Sequence, residues 1–312
     1  MSFKAVFSVI LVMLSVQFAG GGGRLVAADQ YEADRRFVIG RISMKPSKKL
    51  PQLEAMNDYL ARSLPDGAQY KFDEIITPSV GQMAERLRKD AVDLISETPF
   101  AALELAERVG AEIILREWKN GFAEYSSILI TRKDSGISSL KDLKGRVIVF
   151  EDPGSTSGFL LPLAILRAQG LDCVELSSVR DRPPANQIGY VFAHHEINVS
   201  TLVARGLADA GAMSDLDWGN ENEVPVGFRQ NLQVFYKSDP VLRSVVLVRR
   251  GLDAGLKDEL VRLFEQMQNS AKGRRVMKKY NKAQKYDSLT GDLNKKLDAL
   301  REMHRLVRDK IR

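Results

Sequence analysis

Apolar residues along this chain recur with two alternating periods. Arg36–Ser43 (RFVIGRIS) is β-branched and alternating, the pattern of an opening strand. After a loop at Pro46–Lys49, Leu53, Met56, Leu60 and Leu64 share one face and predict a helix over Leu50–Leu64. Strands are expected near Tyr70–Ile76, Val92–Ser96 and Ala111–Arg116, with helices over Val80–Lys89 and Phe100–Val109 and a break at Thr98-Pro99. This βαβαβ rhythm predicts an open α/β sheet with helices on its faces.

The pattern continues with strands at Tyr125–Arg132 (YSSILITR) and Arg146–Phe150 (RVIVF), separated by a short helix that Ser138 or Ser139 can cap. A helix over Ser157–Gln169 closes at Gly170, and Cys173 falls in a strand-like segment where a buried, inert thiol is expected. Ile197–Gly206 reads as helix and Ala208–Met213 as a small-residue strand. Leu232–Tyr236 and Ser244–Arg249 read as strands around the turn Lys237–Pro240. From Leu256 to Tyr280 and from Thr290 to Arg312 the period is helical. Leu293, Leu297, Leu300 and Val307 form a stripe better suited to packing on the body than to a coiled coil, since three heptads are too few.

The first residues follow a different logic. A basic start at Met1–Lys4, an apolar run at Ala5–Ala19 and the small residues of Leu25-Val26-Ala27-Ala28 make the pattern of a secretory signal peptide, residues 1–28, cut near Ala28. The run is short for a membrane anchor, and no later run of 18 apolar residues occurs. With 44% hydrophobic and 28% charged residues the remainder has material for a core, and 312 residues suit two domains. The net charge of +6 is unevenly spread: residues 272–312 carry +9 and residues 29–271 carry −5. The basic character therefore belongs to the tail, as a solvated helical face, and does not mark a nucleic-acid groove. One cysteine excludes a disulfide framework, and three histidines leave little for a metal centre.

The chemistry concentrates at Arg146–Gly158, where a strand enters a Pro-Gly turn and then Ser-Thr-Ser-Gly at a helix start. The first amides of a helix lack internal partners and carry partial positive charge, and the hydroxyls of Ser155, Thr156 and Ser157 add neutral donors. Such a site suits a phosphate- or carboxylate-like anion; the plainer alternative is N-capping by one serine. His195, in His194-His195-Glu196, is a candidate donor to the same anion, or simply the start of a helix. A serine hydrolase is not supported, because Gly154–Gly158 places Thr at the centre of G-x-S-x-G. Nor is there the lysine of a phosphate-binding P-loop.

Glu151–Pro162 (EDPGSTSGFLLP), with the strand before it, resembles the signature of the phosphonate/phosphite/phosphate periplasmic binding proteins, the PhnD-like branch of the type II solute-binding proteins. Arg36–Leu60, Tyr125–Gly145, His195-Glu196 with Gly206–Gly211 (GLADAG), and Tyr236–Arg249 are similar to further segments of that family. The resemblance implies a bilobed α/β fold, two lobes joined by two crossing strands, with C-terminal helices. Residues 29–128 plus 246–312 are expected as lobe 1 and residues 129–245 as lobe 2. It implies that Ser155, Thr156, Ser157 and His195 hold an oxyanion, with no cofactor, metal or catalytic group required. It implies a periplasmic monomer that delivers its ligand to a membrane ABC permease and binds no nucleic acid.

The chain departs from the family on lobe 1. Positions that carry tyrosines in phosphonate binders fall at Val80 and near Ser96-Glu97-Thr98-Pro99, and Leu242-Arg243-Ser244 stands in place of a Ser-Asp-Pro stretch. Arg243 has the planar fork to hold a dianion in two parallel bonds. Glu97 opposes an anion unless it pairs with Arg243 or reads an amino or hydroxyl group; both also suit a surface position. With Thr98 they complete the candidate ligand set. The alternative function is a bilobed sensor that signals to a membrane receptor or kinase through its basic tail. An enzyme on the same fold is disfavoured by the lack of an evident nucleophile–base pair.

Overall fold

Strand and helix alternate through two mixed sheets in the computed structural model, which describes residues 35–311. The expected signal peptide lies outside the described residues. The chain begins with β1 (Arg35–Ile42), α1 (Pro46–Ser63), β2 (Tyr70–Thr77), α2 (Val80–Arg88), β3 (Leu94–Glu97), α3 (Pro99–Val109) and β4 (Glu112–Lys119). A two-residue β5 (Glu124–Tyr125) carries it to β6 (Ser127–Arg132), β7 (Val147–Phe150), α4 (Leu161–Ala168), β8 (Cys173–Glu175) and β9 (Ile188–Phe192). There follow α5 (Glu196–Ala204), β10 (Ala210–Ser214), the single turns α6 (Asp215–Trp218) and α7 (Val226–Arg229), and β11 (Leu232–Lys237). The chain returns through β12 (Val241–Leu242) to β13 (Ser244–Val248), α8 (Ala254–Met267), α9 (Ala271–Asn281), β14 (Ala283–Ser288) and α10 (Gly291–Arg305).

The first sheet runs β2-β1-β3-β13-β4-β14, with β1 parallel to β2 and β3 and the remaining pairs antiparallel. The second runs β8-β9-β7-β10-β6-β11, parallel among β8, β9, β7 and β10 and antiparallel beyond. The central strands of both sheets are covered on both faces, which is why they read as apolar runs: all of Val147–Phe150 and Ser244–Val248 is buried. Between the sheets, β5 pairs antiparallel with β12, Tyr125 opposite Val241 and Glu124 opposite Leu242. These are the two passages of the chain from one sheet to the other.

Several element bounds differ from the sequence expectation, each for a local reason. Helix α1 starts at Pro46 rather than Leu50, because proline's missing N–H costs nothing in a first turn. The expected helix 256–280 is two helices. Ser270 accepts from the Gly273 amide at 2.9 Å and starts α9 afresh, and a Cβ on Gly273 would lie 2.1 Å from the Met267 carbonyl. The polar segment AQKYDS was not anticipated as a strand, yet it forms β14 at a sheet edge, burying Ala283 and Tyr286. The last helix ends at Arg305, followed by a 3₁₀ turn at Arg308–Lys310. Cys173 is half-buried, and burial pushes its thiol up to about 12.

Leu293, Leu297, Leu300 and Val307 pack into the core together with Phe100 and Leu103 of α3 and Leu163 and Leu166 of α4. Helix α10 and the turn after it therefore touch elements of both halves, and Arg167 of α4 holds Asp309 through two hydrogen bonds of 2.6 and 3.2 Å. Several of the tail's basic groups pair at the surface, Arg305 with Glu302 and Arg308 with Glu107 among them. Leu297→Ala is expected to cost about 2–4 kcal/mol in chemical denaturation. A loss under about 0.5 kcal/mol would show that this stripe contributes no core.

Candidate functional site

Strand register brings the functional ends of both sheets together. In the first sheet Val245 lies opposite Glu97, Ser244 opposite Glu117, and Ala283 opposite Lys119. Arg41, Glu97–Thr98, Lys119 and Arg243 therefore share one end of that sheet. In the second, Phe150 lies opposite Phe192 and Ser127 opposite Ser214, which gathers Glu151, His194–His195 and Asp215–Asp217. The crossing strands β5 and β12 run between these ends, with Tyr125 and Arg243 at the junction. Ligands of open α/β sheets sit beyond the carboxyl ends of the parallel strands, and here two such ends share one junction.

The Ser-Thr-Ser-Gly segment enters its helix through a π turn, Thr156–Leu160. The first closing bond is Leu160 N to Ser155 O at 2.9 Å, so the amides of Thr156 and Ser157 precede it. Ser155 is the N-cap, its hydroxyl accepting from Gly158 N at 3.0 Å. The turn is anchored from behind by the Phe159 ring, 4.8 Å from Phe192 and 5.1 Å from Phe150. The Ser127 hydroxyl pins it from the side by donating to Ser157 O at 2.7 Å. A Cβ on Gly158 would meet Glu151 Cβ at 2.7 Å and Ser155 Oγ at 2.9 Å, so only glycine fits. Thr156 is 1% exposed, and its Oγ1 has no hydrogen-bond partner. A buried hydroxyl left in that state is costly unless a ligand completes it.

Behind the turn sits a carboxyl group that the sequence reading passed over. Burial, reinforced by the charge of Glu196, pushes Glu151 up to about 8 from its ordinary 4.5, and the Ser155 hydroxyl opposes the shift by hydrogen bonding. Burial likewise raises Asp217, whose carboxylate accepts from Ser214 Oγ at 2.5 Å. His195 occupies the N-cap of α5 with its side chain exposed and making no capping bond. His194 beside it has a φ of 64° and donates its amide to Glu151 O at 2.6 Å. Both histidines thus stand on the rim of the Glu151–Ser157 turn.

The opposite wall is basic. The Arg243 guanidinium lies over the Tyr125 ring, 4.5 Å from its centroid, and the Tyr125 hydroxyl is beside those of Ser157 and Thr156. Arg243 thereby joins the second-sheet turn through one aromatic ring. Glu97 has both carboxylate oxygens occupied, one accepting from Ile42 N at 3.2 Å and the other from Thr98 N at 3.3 Å. Burial raises it, with Arg41 and Lys119 opposing the shift, so it acts beside those cations and not as a partner of Arg243. Thr98 begins α3 half-buried, with no side-chain capping bond. Arg41, Lys119, Tyr125 and Glu151 are the groups at this junction missing from the sequence expectation. Arg41 alone carried a signal, as a charge at the buried end of an apolar strand. Among the described residues no group of three His, Cys, Asp or Glu is placed to hold a metal ion. A surface depression of about 420 Å³ beside Arg36, Asp93 and Arg249 lies at the far end of β1, away from this junction.

Residues 39–292 match the family model described as ABC transporter, phosphonate, periplasmic substrate-binding protein. The phosphate-import protein PhnD of Mycolicibacterium smegmatis is 29% identical over 234 residues, 72% of this chain and 70% of that protein. Among solved structures, a Xanthomonas citri protein bound to chloride superposes with a TM-score of 0.82 at 30% identity, over 88% of this chain and 99% of that one. The same protein bound to ATP gives 0.80 at 29%, over 89% and 100%. A Prochlorococcus marinus protein in complex with methylphosphonate shares the fold at 17% identity, with a TM-score of 0.62 over 88% and 98%.

Two measurements check this geometry. Gly158→Ala is expected to destabilise the protein by about 1–3 kcal/mol through overpacking against Glu151 and Ser155; a melting temperature equal to the parent's would contradict the close contact. Folded Glu151 keeps its proton up to about pH 8, whereas an unfolded glutamate releases it near 4.5. Stability contributed by this group therefore falls as pH rises from about 4.5 to about 8 and is level above that. Glu151→Gln is expected to flatten that slope and raise stability at pH 7.5 by about 1–3 kcal/mol; parallel pH profiles for the two proteins would refute the shift.

Proposed function

The chain belongs to the periplasmic substrate-binding family of phosphonate ABC transporters, and we propose that its cleft captures a phosphonate-, phosphite- or phosphate-like oxyanion for import. Members of this family act in the periplasm and hand a small ligand to a membrane permease. No helix among the described residues is long and apolar enough to cross a membrane. The leader 1–28, cut near Ala28, is the export signal in this reading. The protein works as a monomer, without catalysis and without nucleic acid.

One observation carries the ligand class: the buried Thr156 hydroxyl at the opening of a helix, with the Tyr125 hydroxyl near it, flanked by Ser155 and Ser157 and faced by Arg243 across Tyr125. Neutral donors and free amides converge there with a guanidinium, the arrangement that stabilises an oxygen-rich anion. His195 adds a rim donor, and Arg243, with Glu97 and Thr98 behind it, forms the opposing wall. A phosphate group is also common to what two relatives above 25% identity are named for, phosphate in one and ATP in the other. In this reading the first sheet with its helices forms one lobe and the second sheet the other, near the expected bounds of 128/129 and 245/246, with β6 whole in the second and β13 whole in the first. Closure about β5 and β12 follows from contacts that the ligand makes with both lobes, because only differential affinity shifts such an equilibrium.

Calorimetry with orthophosphate, phosphite and methylphosphonate is expected to show at least one dissociation constant in the micromolar range or below, about −8 kcal/mol. Replacing both Ser155 and Ser157 by Ala is expected to weaken it by about 100-fold or more; an unchanged constant would remove the turn from the site. Affinity also depends on the Glu151 proton. A neutral Glu151 leaves the Ser155 hydroxyl free to donate to the anion, whereas an ionised one competes for that proton and repels the ligand. Binding at fixed ligand charge is therefore full below about pH 8 and declines above it, a decline that Glu151→Gln abolishes.

A further inference from the structure

We infer that the first-lobe wall is a second anion seat, formed by Arg41, Lys119 and Arg243, which makes the preferred ligand a di- or triphosphate and not an isolated oxyanion. This rests on the Ser155–Ser157 turn being the first seat. Arg41 is 5% exposed. Its Nη1 donates to Ser96 O at 3.3 Å and Asn281 Oδ1 at 3.2 Å, and its guanidinium lies 4.9 Å from the Tyr280 centroid; all three neighbours are neutral. Its Nε and Nη2 are buried without partners, as is Arg243 Nε. Arg243 rests on another neutral group, the Tyr125 ring. Register puts Lys119 at the same sheet end, where burial and the charges of Arg243 and Arg41 lower its ammonium to about 8.

The carboxylates nearby are already committed. Glu97 accepts two backbone amides, and Glu117 accepts from Asn281 Nδ2 and from the Tyr286 hydroxyl at 3.3 Å. Glu97 and Glu117 offset the Arg41 charge through space and Asp217 feels Arg243, but no carboxylate among the described residues makes a hydrogen bond to any of the three cations. Lys49 adds further positive charge near Arg41. Buried cations matched only through space leave donors free that an incoming anion satisfies directly. A single tetrahedral anion at Thr156 engages only Arg243 of the three. Tyr125 stands between the two, its ring under Arg243 and its hydroxyl beside Ser157 and Thr156, so a ligand reaching both carries more than one anionic group, as linked phosphates do.

Calorimetry at pH 7.0 with orthophosphate, pyrophosphate and tripolyphosphate tests this on the full chain. Pyrophosphate or tripolyphosphate is expected to bind at least about tenfold tighter than orthophosphate. Lys119→Met and Arg243→Gln each reduce that ratio by about tenfold, and Arg41→Lys, which keeps charge but loses the fork, reduces it less. Thermal melting confirms folding, and Lys119→Met, at a half-buried site, secures the test should the Arg41 variant unfold. Equal affinity for the three anions, or a ratio unchanged in the variants, overturns the second seat while the oxyanion function stands. Failure of all three anions and of methylphosphonate to bind overturns both.

Discussion

Everything functional in this molecule follows from aiming two strand ends at one another across a pair of crossing segments. Strand ends are where backbone amides and polar side chains run out of internal partners. Thr156 Oγ1, Arg41 Nε and Nη2, and Arg243 Nε are among the buried side-chain atoms left without a partner, and they gather at this one junction. Unsatisfied buried atoms have a cost that a ligand can lower by completing them. In the proposed function an anion held by hydroxyls on one side and guanidinium on the other favours the state in which both reach it, which is also the condition for closure.

Helix α10 sets a limit on that closure. Its leucines enter the same core as α3 of the first half and α4 of the second, and Arg167 fastens Asp309 just beyond it. A hinge made of two short strands is thereby backed by a continuous apolar seam. Motion that opened the seam would expose Leu297 and Leu300 to water at a cost, so in the proposed function closure that keeps the seam shut is favoured. Exposed tail pairs such as Arg301–Asp298 and Arg305–Glu302 are each worth little.

Much of the architecture was legible because strands covered on both faces must be apolar runs and amphipathic helices must carry a stripe. Arg146–Phe150, Ser244–Arg249 and the Leu293–Val307 stripe state their positions outright. What escaped had no such constraint. β14 is an edge strand whose polar residues bond sideways, Asp287 to Arg116 and Trp118 and Ser288 to Glu265, and its register against β4 makes it a strand. The break at Ser270 looks like helix interior until Gly273 is seen against the Met267 carbonyl. At the cleft, local sequence identified the Ser155–Ser157 turn because its chemistry is contiguous. Arg41, Lys119 and Arg243 are dispersed over some 200 positions and converge through sheet order alone, so pattern along the chain does not reveal them.

The two walls pose an apparent contradiction, since an anion site backed by Glu151, Glu196 and Asp217 should repel its own ligand. The proton on Glu151 resolves it. Burial near another carboxylate makes ionisation costly, and the neutral group hydrogen-bonds without opposing an anion. The cations approach this acidic wall only at its margin, where Arg243 lies over Tyr125 and within reach of the Asp217 charge. In the proposed function a bridging anion relieves the buried acid's neighbours and the cations together, which links capture to closure.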